Sequence, residues 1–246
     1  MGYEKLSSKI PKDAKEKIES SNLVVSTPGA FFFFGEHSVL QGQPALYMPI
    51  PLYLYLGVKV KDEEEESLSL NLYTLDPASG DPKVGTIKKY SWETEITFKK
   101  EDLESEISKL LNEEGYRTNY EITVVSEIPP KCGLNSSGAF SAAISTAINL
   151  IEGKVSPYEI ESWQTTSLSS LKENKIFNMI FKLAWKIDEL IQSESSGIGP
   201  FASLVGSPEG VPIVYFLTED KKDYYAYYLT CLLYTSDAAD DGESVD

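Results

Sequence analysis

The early part of the chain alternates hydrophobic and polar positions, a pattern that is typical of β-strands. Residues 22–27 form a β-prone segment that runs into a Pro-Gly pair, so we expect a strand that ends there and a compact loop. Within 51–75 hydrophobic residues recur at every second position in two runs, which predicts two antiparallel strands. The acidic run at 62–66 between them then forms the solvated tip of a hairpin, which we favour over a cation site.

Helical spacing of hydrophobic residues becomes the main pattern later in the chain. An acidic start predicts a helix over 101–114, and a strand is expected at 120–128. The small apolar residues of 140–151 predict a buried helix, while the spacing in 175–192 predicts an amphipathic one. The remaining elements are extended segments at 90–98 and 224–228, a loop at 76–82, and a capping box at 156–159 that begins a further helix.

The composition excludes several classes of protein. The chain has 246 residues, 41% hydrophobic and 24% charged, as in globular rather than disordered or fibrous proteins. Acidic residues outnumber basic ones by 38 to 22, and the net charge of −16 disfavours binding to nucleic acids and anionic membranes. Two distant cysteines make no disulfide framework, and a single histidine argues against a histidine-based metal site. Since no apolar run reaches the roughly 18 residues that cross a bilayer, we expect a cytoplasmic protein.

A glycine- and serine-rich turn between a predicted strand and a predicted helix is the strongest chemical signal. Small residues there allow backbone N–H groups to approach an anion, and the helix N-terminus adds positive potential. Ser136 and Ser137 could supply hydroxyls to phosphate or magnesium, and Lys131 could offset charge. The alternative is an ordinary capped helix after a glycine turn. The candidate nucleotide-binding residues are Pro130, Lys131, Gly133, Leu134, Asn135, Ser136, Ser137, Gly138 and Ala139.

A second signal is a Gly-Glu-His sequence that follows four consecutive phenylalanines. Phe31 to Phe34 are expected in the core because of their size and apolarity. Glu36 and His37 combine a carboxylate with an imidazole, which is suited to proton transfer. A hydrogen-bonded pair with a structural role is the alternative interpretation.

Taken together, the two segments resemble a known pair of motifs. Thr27-Pro-Gly followed by Gly-Glu-His-Ser-Val-Leu, and the run from Pro129 to Ala139, are similar to the first and second signatures of the GHMP kinases. This superfamily contains galactokinases, homoserine kinases, mevalonate kinases and phosphomevalonate kinases. Ser196-Gly-Ile is similar to a segment of the mevalonate kinase branch, and the resemblance extends over 23–216.

The resemblance implies an α+β fold with two domains and ATP bound between them. The first would be a domain like ribosomal protein S5 domain 2, and the second a ferredoxin-like domain. On this basis 1–21 is a polar lead, 22–195 the ATP-binding N-terminal domain, and 196–228 the start of a truncated C-terminal domain. The acidic stretch 229–246 resembles a translated sequencing adaptor, and we interpret it as a non-native tail.

The resemblance also assigns roles to individual residues. Ser137 and Asp188 match the positions that hold Mg²⁺, and the loop around them would bind the ATP phosphates. Glu36 and His37 match a segment that lies near the substrate. The implied acceptor is a small alcohol such as mevalonate, an isoprenoid precursor, and a homodimer is compatible with the family.

Three departures set this chain apart from the family pattern. Ala30 stands where mevalonate kinases have a lysine, and Gly199 stands where an aspartate orients or deprotonates the acceptor hydroxyl. The two side chains pair in the family, so the loss of both is consistent with an altered site, and restoring both is expected to change turnover. The later glycine-rich motif does not occur before Asp246, which leads us to expect an inactive chain. A kinase with slow or substrate-assisted proton removal and a nucleotide-binding pseudokinase remain open, with a diphosphate decarboxylase least favoured.

Overall fold

The structure is a computed structural model of the chain. It describes residues 11–62, 67–75, 82–84, 88–90, 95–97, 100–129, 132–165, 167–192, 194–206, 211–218 and 223–229. Within these ranges no helix combines the length and the apolar character needed to cross a membrane.

Of the nine strands in the described residues, seven form one mixed sheet around the long strand β2. The strands are β1 Leu23–Phe34, β2 Ala45–Val60, β3 Ser69–Leu75, β4 Pro82–Val84, β5 Lys88–Tyr90, β6 Glu95–Thr97, β7 Tyr120–Ser126, β8 Ile213–Leu217 and β9 Tyr224–Tyr228. The order is β4-β3-β7-β2-β8-β9, β1 also pairs with β2, and β5 and β6 form a separate pair. Strand β3 is parallel to β7, whereas β2 is antiparallel to β1, β7 and β8.

Seven α-helices in the described residues accompany this sheet, and one of them, α3, is almost completely buried. They are α1 Lys12–Glu19, α2 Lys100–Glu113, α3 Ser136–Ile151, α4 Pro157–Glu161, α5 Leu168–Glu173, α6 Lys175–Ile191 and α7 Ile198–Val205. Every residue of α3 from Gly138 to Asn149 is buried. Its alanines and serines have short side chains, so α6 and α7 can approach α3 closely. The prediction of a buried helix in this segment is confirmed.

Two hydrophobic cores meet at α6. One lies between the sheet and helices α2, α3 and α6, with Leu56, Ile122 and Ile144 at full burial. The other is largely aromatic and includes Phe177 and Phe201, whose ring centroids lie 5.9 Å apart. Helix α6 contributes to both cores, which holds the residues at its C-terminal end in fixed positions relative to α3.

Strand β1 is longer than the sequence pattern predicts. It continues through the Pro-Gly pair, where the register against β2 shifts by a bulge, so the prediction of a loop there is wrong. A bulge lets the ladder accommodate a proline that cannot donate a hydrogen bond. The prediction of a phenylalanine core is also wrong, because Phe31, Phe33 and Phe34 are 43%, 48% and 57% exposed. Phe32 alone of these four packs against a core cluster.

The predicted hairpin of 51–75 is not formed. Both strands exist, but β7 lies between β2 and β3 and pairs with each of them. The period-two pattern shows which faces are apolar and does not identify the neighbouring strand, so an insertion from later in the chain could not be foreseen. Residues 63–66 of the acidic run lie outside the described ranges.

Other predicted elements are confirmed with small shifts at their ends. Helices α2 and α6 correspond to 101–114 and 175–192, and the capping box of Ser156 and Glu159 is present. The α+β fold class is confirmed. Strands β8 and β9 extend the same sheet as β2, and the proposed division between 195 and 196 stays a prediction. The tail 230–246 and residues 76–81 lie outside the described part of the chain, as does much of 90–98.

Candidate functional site

The segments that resemble the family motifs are hydrogen-bonded to one another. Thr27 Oγ1 on β1 donates to Ala139 O on α3 at 2.8 Å. Ala30 N donates at 3.2 Å to the carbonyl oxygen of Leu134, which lies two residues before α3 begins. Ser203 Oγ on α7 donates to Pro28 O at 2.7 Å. Hydrogen bonds therefore join the middle of β1, the N-terminus of α3 and helix α7, and we call this region the corner.

Asn135 holds this corner together and leaves the N-terminus of α3 open. Its backbone is left-handed, with a φ of 64°, and its side chain makes no capping bond to α3. The Nδ2 atom instead donates to Gly199 O at 2.8 Å and to Ser203 Oγ at 3.0 Å. Because no side chain caps the helix, the N–H groups of its first turn remain suited to an external anion.

The loop before α3 contains a second residue with a left-handed backbone, Gly133. Gly133 has a φ of 66°, a value that L side chains rarely adopt, and a Cβ there would meet open space. Ser136 is exposed at the start of the helix, in keeping with a ligand-facing hydroxyl. Pro130 and Lys131, also predicted to bind nucleotide, lie outside the described residues.

A polar cluster lies beside this helix terminus. Gln192, at the end of α6, donates from Nε2 to Ser137 Oγ at 2.8 Å and to the two Asp188 carboxylate oxygens at 3.2 and 3.3 Å. Ser195 Oγ donates to Asp188 Oδ2 at 2.6 Å. The structure thus brings Ser137 and Asp188 together, as expected for two ligands of one cation.

The environment of Asp188 is unusual for a carboxylate. The residue is 2% exposed. Burial raises its pKa to about 6, against the lowering effect of hydrogen bonds from Ser195, Ser137 and Gln192. With a pKa near 6 the carboxylate is mostly ionised at neutral pH, and within the described part of the chain its hydrogen-bond donors are all neutral, an arrangement that suits a cation ligand.

These residues fit a magnesium ion that is shared with a nucleotide. Their oxygens converge on one point, now filled by the hydrogen-donating nitrogen of Gln192. Among the described residues no group of three His, Cys, Asp or Glu side chains could form a metal cage. Mg²⁺ often needs only one or two protein carboxylates because phosphates and waters complete its octahedron. One carboxylate and one hydroxyl beside an anion site satisfy that requirement.

Glu36 and His37 lie in the turn that follows β1. Glu36 Oε1 and His37 Nε2 are 3.4 Å apart, and their side chains are 45% and 70% exposed. The structure therefore brings the two residues to each other at the surface. A role near the substrate rests on the resemblance and stays a prediction.

The two altered positions are both buried. Ala30 is fully buried and packs in the aromatic core, where a lysine would place a charge among apolar side chains. A Cβ at Gly199 would lie 2.7 Å from Asn135 Oδ1. A Cβ at Gly138 would lie 2.6 Å from Gly199 O. The side chain of Asn135 therefore fills the space that side chains at positions 138 and 199 would need. We call Asn135, Gly138 and Gly199 the interlocked triplet.

This packing predicts the result of replacing Gly199 by aspartate. Alone, Gly199→Asp forces Asn135 to move and to lose its two hydrogen bonds, at a cost of about 2 kcal/mol. Combined with Asn135→Gly, which suits the left-handed backbone, the same aspartate is accommodated. Urea unfolding of the two single variants and the double variant gives the coupling free energy, expected near 1–2 kcal/mol in favour of the double variant. Strictly additive losses would show that the triplet is not interlocked.

The sequence predicts the position of this site but does not predict the roles of three residues in it. Gln192 and Ser195 were not assigned, and Asn135 was assigned only to the phosphate loop. Gln192 follows Asp188 by four residues on a helix, so the two share a face, and that spacing was a usable signal. The side-chain bonds of Asn135 to α7 span 64 and 68 residues of chain and had no local signal.

One family model and two curated relatives match much of the chain. Residues 103–207 match the family described as the GHMP kinases N terminal domain. The mevalonate kinase of Pyrococcus horikoshii is 28% identical over 193 residues, which are 75% of this chain and 49% of that protein. The mevalonate kinase of Pyrococcus abyssi is 27% identical over 194 residues, with the same coverage of 75% and 49%. The chain spans about half the length of the curated relatives it matches.

Solved structures share the fold at lower identity. Mevalonate kinase from methicillin-resistant Staphylococcus aureus superposes with a TM-score of 0.50 at 18% identity, over 84% of this chain and 55% of that one. The L. major mevalonate kinase in complex with R-mevalonate gives 0.51 at 14% identity, over 84% and 52%. At these identities the likeness shows a common fold. The family match and the two curated relatives show that the chain is similar to the GHMP kinase superfamily and, within it, to the mevalonate kinase branch.

Proposed function

We propose that this protein is an ATP-dependent kinase that transfers the γ-phosphoryl group to a small alcohol, as mevalonate kinases do. The observation that carries the proposal is the position of Ser137 and Asp188, whose oxygens converge beside the uncapped N-terminus of α3. An open helix terminus suits phosphate, and a carboxylate with a hydroxyl suits the Mg²⁺ that accompanies it.

Each part of the corner has a role in this proposal. The first-turn N–H groups of α3 and the Ser136 hydroxyl bind the phosphates, while Ser137 and Asp188 hold Mg²⁺. Bound Mg²⁺ supplies positive charge that offsets the charge on the transferring phosphoryl group. The bonds from Asn135 to α7 fix the angle at which the loop faces the nucleotide. Such positioning contributes most of the catalysis in phosphoryl transfer.

The acceptor is proposed to be mevalonate or a related alcohol. The support is the naming of both curated relatives as mevalonate kinases and of one solved neighbour as a complex with R-mevalonate. Ala30 and Gly199 provide neither the lysine nor the aspartate, so the hydroxyl proton leaves by another route. Phosphoryl transfer through a loose transition state requires positioning and charge stabilisation more than a strong base.

The deciding experiment is an assay of Mg·ATP binding and of phosphoryl transfer by the same protein preparation. Binding is measured by calorimetry, and transfer from ATP to mevalonate, galactose or homoserine is followed by ³¹P NMR. Binding with a phosphorylated alcohol supports the kinase. A protein that binds no Mg·ATP contradicts the proposal.

Loss of the Ser137 hydroxyl should weaken Mg·ATP binding selectively. We expect Ser137→Ala to raise the Kd for Mg·ATP about tenfold, because one hydrogen bond or ligand oxygen contributes about 1.4 kcal/mol. Ser20→Ala is the matched control, since its exposed hydroxyl donates only to the nearby Lys17 carbonyl. Equal affinities of the two variants would remove Ser137 from the nucleotide site.

A nucleotide-binding protein without phosphoryl transfer is the second candidate. The observation that favours it is the filling of the space beside Gly199 by Asn135, which leaves no room for an acidic group at that position. This candidate requires tight Mg·ATP binding and no product with any alcohol in the assay above. Detectable transfer to a single acceptor eliminates it.

A further inference from the structure

Gln192 occupies the point on which the proposed metal ligands converge. Its Nε2 atom lies 2.8 Å from Ser137 Oγ and 3.2 and 3.3 Å from the two oxygens of Asp188. We propose that the amide group of Gln192 takes the place of the divalent cation in the metal-free protein. The amide must leave this place before the cation can bind. This inference rests on the metal centre of the proposed function and adds the residue that regulates access to it.

The chemistry of the amide group explains why it can take this place. An amide NH₂ carries partial positive charge and two hydrogens, and it donates here to a hydroxyl and a carboxylate. Asp188 is 2% exposed, and a buried carboxylate without donors is strongly unfavourable. Ser195 donates to Oδ2 of Asp188 and Ser137 also hydrogen-bonds to this carboxylate, while Gln192 is the one donor that reaches both carboxylate oxygens and Ser137 Oγ together. Gln192 therefore stabilises the metal-free site in the way that a cation would.

The position of Gln192 allows its side chain to leave without unfolding the helix. The residue follows the last residue of α6 and has an extended backbone, with φ −113° and ψ 134°. Its backbone N–H donates to Asp188 O at 2.8 Å and closes the last helical turn. Because this bond involves the backbone alone, rotation of the side chain exposes both ligands and leaves α6 intact.

The arrangement makes metal binding a competition. A cation binds only the fraction of molecules in which the amide has rotated away, so the apparent Kd is the intrinsic Kd divided by that fraction. Removal of the amide should raise cation affinity and lower the stability of the metal-free protein. A residue that served as a ligand or held the ligands in place would have the opposite effect on affinity.

The test measures Mn²⁺ binding by electron paramagnetic resonance in the presence of ADP, with the complete 246-residue chain. Gln192→Met keeps the length of the side chain and removes its donors, and Gln192→Ala removes the side chain. We expect both variants to bind Mn²⁺ about tenfold more tightly than the unchanged protein, and to melt at a lower temperature without metal. Gln41→Ala, at an exposed glutamine outside the cluster, should change neither quantity.

The outcomes separate this inference from the function on which it rests. Unchanged or weaker Mn²⁺ binding by both Gln192 variants overturns the inference but does not contradict the metal centre. Absence of Mn²⁺ binding in the unchanged protein and in both Gln192 variants overturns the metal centre and the inference together. Tighter binding that is lost again when Asp188→Asn is added supports both.

Discussion

Replacing Gly138 by alanine is expected to destabilise the protein by about 3 kcal/mol. In an ordinary buried or exposed helix the same change stabilises by about 1 kcal/mol, because alanine has the higher helix propensity. Here the added methyl group would overlap the carbonyl carbon of Gly199 and lie 2.6 Å from its oxygen. Backbone atoms cannot rotate away, so α3 and α7 must separate. The sign of the effect therefore tests the close approach of the two helices.

Gly57→Ala is the appropriate comparison. A Cβ there would overlap the hydroxyl of Ser21, which can change rotamer, and would lie 3.1 Å from the Ser21 Cβ, a tight contact that a shift of a few tenths of an ångström relieves. We expect a loss near 1 kcal/mol, clearly smaller than at Gly138. Urea unfolding of both variants gives the two values. Similar losses, or a gain at Gly138, would contradict the packing of α3 against α7 described above.

Replacing Asp188 by asparagine is expected to stabilise the metal-free protein at pH 7.5 while it removes cation binding. Burial raises the pKa of this carboxyl from 3.8 to about 6. A shift of this size corresponds to roughly 3 kcal/mol that the ionised carboxylate costs the folded state. Asparagine carries no charge to desolvate. A residue retained for stability alone would show the opposite sign.

The pH dependence of this gain follows from the direction of the shift. Because the folded-state pKa is above the unfolded one, the folded protein binds the proton more tightly, and stability falls as pH rises from 3.8 to about 6. The advantage of Asp188→Asn should therefore be largest above pH 6 and vanish below pH 4. Glu173→Gln, at an exposed acidic residue outside the cluster, controls for the change in net charge. A gain independent of pH, or a loss at pH 7.5, would show that burial does not govern Asp188.

Local patterns predicted those parts of the fold that depend on neighbouring residues. The boundaries of α2 and α6 follow from hydrophobic spacing and capping, and the capping box of Ser156 is formed. The patterns failed where a distant element decided the outcome. Strand β7 lies between β2 and β3, and the register shift at the Pro-Gly pair lets β1 continue on β2. Neither arrangement has a signal within a short window of sequence.

The sequence predicts two residues of the candidate site but not the hydrogen bonds that connect them to their neighbours. Motif resemblance and spacing identified Ser137 and Asp188, which the structure brings together through Gln192. In the sequence, Gly199 and Ala30 indicate only that the lysine and aspartate of the family pattern are not present at these positions. The physical setting of Gly199, the space filled by Asn135, depends on a contact between helices far apart in the chain. Such contacts are decided by tertiary packing, which a single sequence does not record.

The interlocked triplet also constrains how this protein could evolve. A mutation that introduces aspartate at Gly199 meets Asn135 immediately, so its fate depends on whether Asn135 has already changed. The order of the two mutations therefore matters: the path through a change at Asn135 keeps a foldable intermediate, and the reverse path passes through a damaged one. Epistasis of this kind makes an aspartate at this position hard to acquire, because selection would first have to tolerate a substitution that brings no gain by itself.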